Sequence, residues 1–303
     1  MLFWSSKFVL PLPKDHQFPM RKYELVKRQL IDNHIVNKSC FIEPHMASIE
    51  DISMVHDLEY IERVFNGTLT DAEIRRIGFP FSKDVIERER LICGAMIDAS
   101  LKALQCSVSF NMAGGTHHAF SNFGSAYCVF NDMAIAARYL LFQKLAQKVM
   151  IVDLDVHQGN GTASIFKNEP YVFVFNVFAK AAYPLRKQKS DLDIELPNGI
   201  NNQQYIDILS VNLVKAIASF KPDIVLYQAG VDLLWCDKLG KFSMTLDGLK
   251  KRDELVLQTF TELNIPVAIC LGGGYSPNIQ LVVDAHCNTV IAAKNILKKY
   301  DFK

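Results

Sequence analysis

An excess of charge of either sign is missing from this sequence: 33 Lys and Arg stand against 32 Asp and Glu, a net of +1 over 303 residues. A dedicated nucleic-acid binder shows a strong basic excess, so that class is set aside. Long apolar runs are missing too. The stretch from Cys106 to Asn131 carries no Asp, Glu, Lys or Arg, but Asn, Ser, Gly and the pair His117-His118 interrupt it, which excludes a bilayer span. The seven cysteines, from Cys40 to Cys287 with no CxxC pair, fit a reducing cytosol better than a disulfide framework or a thiolate zinc site. The amino terminus has no basic region ahead of its apolar residues and soon meets Pro11 and Pro13, so no cleavable signal is expected and the expected location is cytoplasmic. Neither the dinucleotide fingerprint GxGxxG nor a P-loop lysine is present, which removes the common nucleotide-binding readings. Internal repeats, low-complexity tracts and long Pro/Gly/Ser linkers are absent as well, so residues 1–303 are expected to form one domain.

What is present is an alternation. Half the chain is hydrophobic and 21% is charged, which excludes a disordered chain, and the length is ample for a deep core. Near-continuous apolar runs at Ser107–Asn111, Lys148–Asp153, Tyr171–Asn176, Asp223–Gln228 and Pro266–Leu271 read as strands covered on both faces. Helix-length segments lie between and after them: 84–105, 131–147, 202–219, 246–263 and 278–299. That order predicts an α/β chain built on a doubly wound parallel sheet flanked by helices. The first 80 residues read as mostly helical, best over 20–33 and 48–65, packing around the sheet edge.

The polar residues cluster where these strands end. In open parallel sheets ligands bind outside the carboxyl ends of the strands. Asp153-x-Asp155-x-His157 is the sharpest signal, because alternate residues of an extended segment point one way and would present two carboxylates and an imidazole together. Asp232 follows another strand in the apolar setting Ala229-Gly-Val-Asp-Leu-Leu-Trp235, where a buried carboxylate needs a partner. Asp155, His157 and Asp232 would make one nitrogen and two oxygen ligands and leave a tetrahedral metal an open position, the arrangement of a catalytic zinc site. His117-His118 follows Gly114-Gly115; each histidine needs an acceptor on its far nitrogen, and we pair Asp153 with His117 and Asn160 with His118. Tyr275 closes the glycine triplet 272–274, where its hydroxyl would serve as an oxyanion donor.

These residues resemble a known family. Gly114-Gly-Thr-His-His118, Ala126-Tyr-Cys128 with Asn131-Asp132, Asp153-Leu-Asp-Val-His-Gln-Gly-Asn-Gly161, Ala229-Gly-Val-Asp232 with Asp237-x-Leu-Gly240, and Gly272-Gly-Gly-Tyr275 occur in the order found in the histone deacetylase family of zinc-dependent amidohydrolases. His16-Gln-Phe-Pro-Met-Arg21 and His56-Asp-Leu-Glu-Tyr60 extend the likeness towards the amino terminus. The Gln158-Gly-Asn160 version is similar to the class IV branch and its bacterial relatives, since class I usually has an aspartate where Asn160 stands. The resemblance implies the arginase-deacetylase fold with a narrow tunnel to the metal. It implies one Zn²⁺ on Asp155, His157 and Asp232, a general acid/base pair in His117 and His118 with Asp153 and Asn160 behind them, and Tyr275 polarising the carbonyl. It further implies substrate contacts from Tyr127, Tyr183, Ala126 and Gly273, and a K⁺ ion on main-chain carbonyls between Asp153 and His157. Two positions depart from the family pattern: Ala126 stands where a glycine is usual, its methyl expected to narrow the tunnel, and Thr116 where many relatives have an aromatic residue.

The function expected is hydrolysis of acetyl or other acyl groups from lysine side chains of a protein or peptide partner, with His118 as general base. Acetylpolyamine or small-amide hydrolysis and non-catalytic acyl-lysine binding are the alternatives. No membrane partner and no direct nucleic-acid partner are expected, and the basic run Arg186-Lys-Gln-Lys189 reads as a solvated loop.

Overall fold

In the computed structural model, which describes residues 1–299, the five apolar runs are strands: β3 (Val108–Asn111), β4 (Val149–Asp153), β5 (Val172–Ala179), β7 (Ile224–Gln228) and β8 (Val267–Cys270). Three further strands complete the sheet, β1 (Leu2–Phe3), β2 (Phe41–Ile42) and β6 (Leu192–Leu196). All pairings are parallel, in the order β2-β1-β3-β8-β7-β4-β5-β6.

Each inner strand is buried on both faces. Val149 and Ile151 of β4 enter one apolar cluster while Met150 and Val152 enter the other, as period-two alternation in a covered sheet requires. The first cluster lies under α5 (Lys83–Cys106) and α6 (Asp132–Phe142); the second lies under α1 (Lys22–Asp32), α8 (Asn202–Phe220), α9 (Leu246–Glu262) and α10 (Ile279–Lys299).

Some boundaries move from the sequence reading. The helix expected over 131–147 stops at Phe142, and Lys144 turns left-handed at φ 57° before β4 begins. The single helix expected over 48–65 is two, α2 (Ile49–Ser53) and α3 (Leu58–Asn66), with α4 (Asp71–Ile77) following. The break falls at 54–57, where His56 is buried and its Nε2 accepts the Asn131 N–H at 2.9 Å.

Register places the site. Asn111 pairs with Cys270, Cys270 with Gln228 and Gln228 with Asp153, so the last residues of β3, β8, β7 and β4 form one level row. From β4 the chain winds outward through β5 and β6, then returns on the other side of β4 as β7 and β8. That divergence opens a crevice at the carboxyl ends of β4 and β7.

Candidate active site

The segment after β4 is not extended. Two side-chain turns bend it: the Asp155 N–H donates to Asp153 Oδ1 at 3.1 Å, and the His157 N–H donates to Asp155 Oδ1 at 3.0 Å. The simple alternation expected from sequence is therefore corrected, and the bend separates the functions of the residues. Asp153 faces His117, while Asp155 and His157 turn towards Asp232, which descends from the loop after β7.

His157 Nδ1 lies 2.9 Å from Asp155 Oδ1 and 3.1 Å from Asp232 Oδ2. The Asp155, His157 and Asp232 ligand atoms all lie within 4.8 Å of one another, and all three residues are buried. The backbone holds the carboxylates from behind: the Val156 N–H donates to Asp232 Oδ1 at 3.0 Å and the Gly273 N–H to Asp155 Oδ2 at 2.9 Å. Burial and the neighbouring Asp155 push the Asp232 carboxyl up from the usual carboxylate range. Burial works against charge on His157, yet its contacts with the two carboxylates raise its pKa to about 10. Two buried carboxylates that press a proton onto an imidazole form a pocket that needs a cation, and this donor set fits a divalent metal.

Above this group sits the histidine pair. His117 Nδ1 is 2.7 Å from Asp153 Oδ2, and His118 Nδ1 is 2.7 Å from Asn160 Oδ1, so both pairings drawn from sequence are made. The two environments differ in charge. Burial disfavours protonated His117, but the Asp153 carboxylate overrides it and the pKa is raised. Burial, with His117 and His157 beside it, drives the His118 pKa well below the imidazole range. The loop that presents them is clamped at both ends: Asp132 accepts the N–H groups of Gly115 and Thr116 and the Thr116 hydroxyl, at 3.0, 2.8 and 2.7 Å. The His117 carbonyl accepts the N–H groups of Gly161 and Thr162 at the start of α7 (Asn160–Ile165). Thr116, a departure from the family pattern, is thus part of the clamp. Gly159 is required by close approach, because a Cβ there would stand 2.3 Å from Asp153 Oδ2.

Tyr275 and His118 border an open cavity of about 350 Å³ and, beneath it, a small cavity of about 30 Å³ that also reaches Asp155, His157 and His117. Burial and the charges of Asp155 and Asp232 hold the Tyr275 phenol well above its ordinary pKa, so it stays a donor. Its backbone N–H donates to Asp237 Oδ2 at 2.6 Å.

The residues expected to contact substrate are distributed unevenly. Tyr127 and Tyr183 both border the open cavity, but no ring contact joins them among the described residues. Tyr127 packs on Phe18 at 5.2 Å and Tyr275 at 6.2 Å between ring centroids; Tyr183 meets His118 edge-on at 4.9 Å, and its hydroxyl is 2.8 Å from Ser125 Oγ. Ala126 lies on both cavities in a two-residue turn, with φ of 44° at Ala126 and 66° at Tyr127. Gly273 borders the small cavity, but it backs the metal carboxylates: a Cβ there would come within 2.2 Å of Asp232 Oδ2. The basic run 186–189 is only partly solvated, because Lys187 donates to the carbonyls of Ala182 and Pro184 and Gln188 exchanges hydrogen bonds with Gln158.

Four contributors have no role assigned in the sequence reading. Gln228, at the tip of β7, places its amide Nε2 3.1 Å from His117 Nδ1 and 3.4 Å from Asp155 Oδ2. Lys22 is buried and donates to the Gly272 carbonyl at 2.7 Å; burial lowers its pKa to about 8, against the pull of Asp232 and Asp155. Asp132 and Asp237 hold loops rather than meeting the cavity's contents. All four lie in or next to quoted motifs, and that was the only signal available.

Comparison with known proteins gives the family and the fold. A histone deacetylase domain pattern matches residues 16–290. An uncharacterized protein of Picosynechococcus sp. is 41% identical over 97% of this chain and 98% of its own length. Histone deacetylase 2 of Arabidopsis thaliana is 28% identical, covering 93% of this chain and 76% of its own, and the acetoin utilization protein AcuC of Staphylococcus xylosus is 26% identical over 88% and 75%. The crystal structure of the HDA15 HD domain superposes with a TM-score of 0.80 at 19% identity, covering 98% of this chain and 93% of that one, and so shares the arginase-deacetylase fold. The chain belongs to the histone deacetylase family.

Proposed function

We propose that the protein is a zinc-dependent lysine deacetylase, a single catalytic domain over residues 1–303 that hydrolyses the linear amide between an acyl group and the side-chain amine of lysine. One observation carries this reading: His118, Tyr275, Asp155 and His157 line one small cavity, with Asp232 behind them against His157, and Tyr127 and Tyr183 border the open cavity beside it. Asp155, His157 and Asp232 would hold the ion. Zinc held there would supply a water of pKa about 7 and polarisation of the acyl carbonyl.

The protein's own groups supply the rest. His118, kept neutral by burial and by His117 beside it, takes the proton from water as the acyl carbon is attacked. His117, held towards its charged form by Asp153, sets the field beside it. The Tyr275 hydroxyl donates to the oxygen that becomes negative. When the carbon–nitrogen bond breaks, the amine leaves with the transferred proton and the acyl group leaves as a carboxylate. The small cavity of about 30 Å³ has the room of about one water molecule, which suits the methyl of an acetyl group. Rings along the approach suit an aliphatic stem. Purified protein assayed against acetyl-lysine peptides, longer acyl-lysines and acetylpolyamines tests this: acetyl-lysine peptides are expected to turn over best, and a clear preference for acetylpolyamines would overturn the protein-substrate reading.

A further inference from the structure

The chain is nearly neutral overall, yet its cavity mouth is not. Arg75 and Arg76, from the last turn of α4, and Lys241, from the loop before α9, border the open cavity, and no Asp or Glu borders it among the described residues. Arg75 and Lys241 are exposed and make no ion pair among those residues. The Arg76 guanidinium lies 4.9 Å over the Phe123 ring, with no carboxylate partner. Asp237, two residues before Leu239 of the rim, is turned inward: both its carboxylate oxygens are taken by the N–H groups of Leu239, Gly240 and Tyr275. The adjoining Tyr183 loop adds Arg186 and Lys189, both exposed. Unpaired cations gathered round one opening repel one another, an arrangement that favours an anionic ligand.

We propose that the mouth selects acyl-lysines carried in acidic stretches of protein, with Asp or Glu flanking the modified residue on either side. This rests on the lysine deacetylase reading above. The acyl-lysine side chain is itself neutral and takes the tunnel, so recognition of charge falls to the flanking residues lying across the rim. An extended peptide advances about 3.3 Å per residue, so positions up to about three from the lysine stay within a screening length of about 10 Å from its Cα. The same rim opposes an acetylpolyamine, whose remaining amines are cationic, and disfavours acyl-lysines embedded in basic tails.

The test uses three peptides of equal length around one acetyl-lysine, with the two neighbours on each side all Glu, all Gln or all Arg, and measures kcat/KM on the metal-replete protein. At low salt the Glu peptide is expected to exceed the Arg peptide about tenfold or more, chiefly through KM, with the Gln peptide between them, and the gap is expected to shrink to a few-fold at about 0.5 M salt. The double variant Arg75→Glu with Lys241→Glu, at exposed positions, is expected to reverse the order. Equal turnover of the three peptides, a preference for the Arg peptide, or an order unchanged in the double variant would overturn the proposal while leaving the deacetylase reading intact. Turnover of none of the three, the Gln peptide included, would instead overturn the deacetylase reading, and this inference with it.

Discussion

Asn160 Oδ1 stands 2.7 Å from His118 Nδ1, a neutral amide in the place where neighbouring His117 meets the carboxylate of Asp153. The difference separates the pair: one imidazole is driven towards neutrality and the other towards charge. Asn160→Asp keeps the shape and adds a negative charge, which favours protonated His118 by about one pH unit or more. A base acts when neutral, so raising its pKa moves the acid limb of the kcat/KM profile to higher pH. An acid limb that does not move in the variant would contradict His118 as the base.

Tyr275→Phe removes one oxygen from a ring already packed against Phe18 and Tyr127, so fold and metal content are expected to stay. Turnover of an acetyl-lysine peptide is expected to fall about a hundredfold or more, mainly in kcat, because the donor acts on charge that develops in the transition state. Near-normal kcat in the variant would return the tyrosine to a packing role.

Ala126 carries a methyl at φ 44° in a turn closed by reciprocal Ser125 and Cys128 backbone hydrogen bonds. Left-handed backbone costs a non-glycine residue about 1–2 kcal/mol, whereas glycine's extra freedom in the unfolded chain costs about 0.4–1 kcal/mol. Ala126→Gly is therefore expected to stabilise by about 0.5–1 kcal/mol, an upward shift of a degree or two in Tm by calorimetry. Because Ala126 borders both cavities, the same change is expected to alter the ranking of short against long acyl groups. A lowered Tm would show that the turn is not strained.

His56 offers a pH test away from the metal group. Burial lowers its pKa from 6.5 to about 4, and its Nε2 already accepts the Asn131 N–H, so a proton there would displace that bond. Its folded pKa lies below the unfolded value, so the unfolded chain binds more protons between pH 6.5 and 4. Stability is present above 6.5 and is lost as pH falls through that window, on the order of 2–3 kcal/mol by pH 4. Urea unfolding of His56→Gln is expected to show a shallower loss over the same range; an equal slope in both proteins would remove His56 as its source.

Legibility in the sequence followed burial and locality. Strands such as Lys148–Asp153 were visible because both faces are covered, leaving nearly continuous apolar runs. β6 was not, because Leu192–Leu196 is an edge strand whose Asp193 and Glu195 break the run, and β1 and β2 are two residues each, too short for any period. The pairings of His117 with Asp153 and His118 with Asn160 were readable because each partner sits in a motif already loaded with chemistry. Gln228 and Lys22 were not, since Gln228 is level with Asp153 only through strand register and Lys22 reaches Gly272 across most of the chain. The basic mouth was equally hidden, because Arg75, Arg76 and Lys241 become neighbours of one opening only in the folded chain.

The central claim is that Asp155, His157 and Asp232 hold the ion on which lysine deacetylation depends. The most direct measurement is kcat/KM on a neutral acetyl-lysine peptide, taken for the protein as purified, after chelation, and after return of one equivalent of Zn²⁺, with metal content determined at each stage. One zinc per chain is expected, with turnover lost with the ion and recovered with it, and an Asp232→Ala variant that neither holds zinc nor recovers. A chelated, metal-free protein that still turns the peptide over at its original rate, or an Asp232→Ala variant with unchanged zinc, would contradict this assignment.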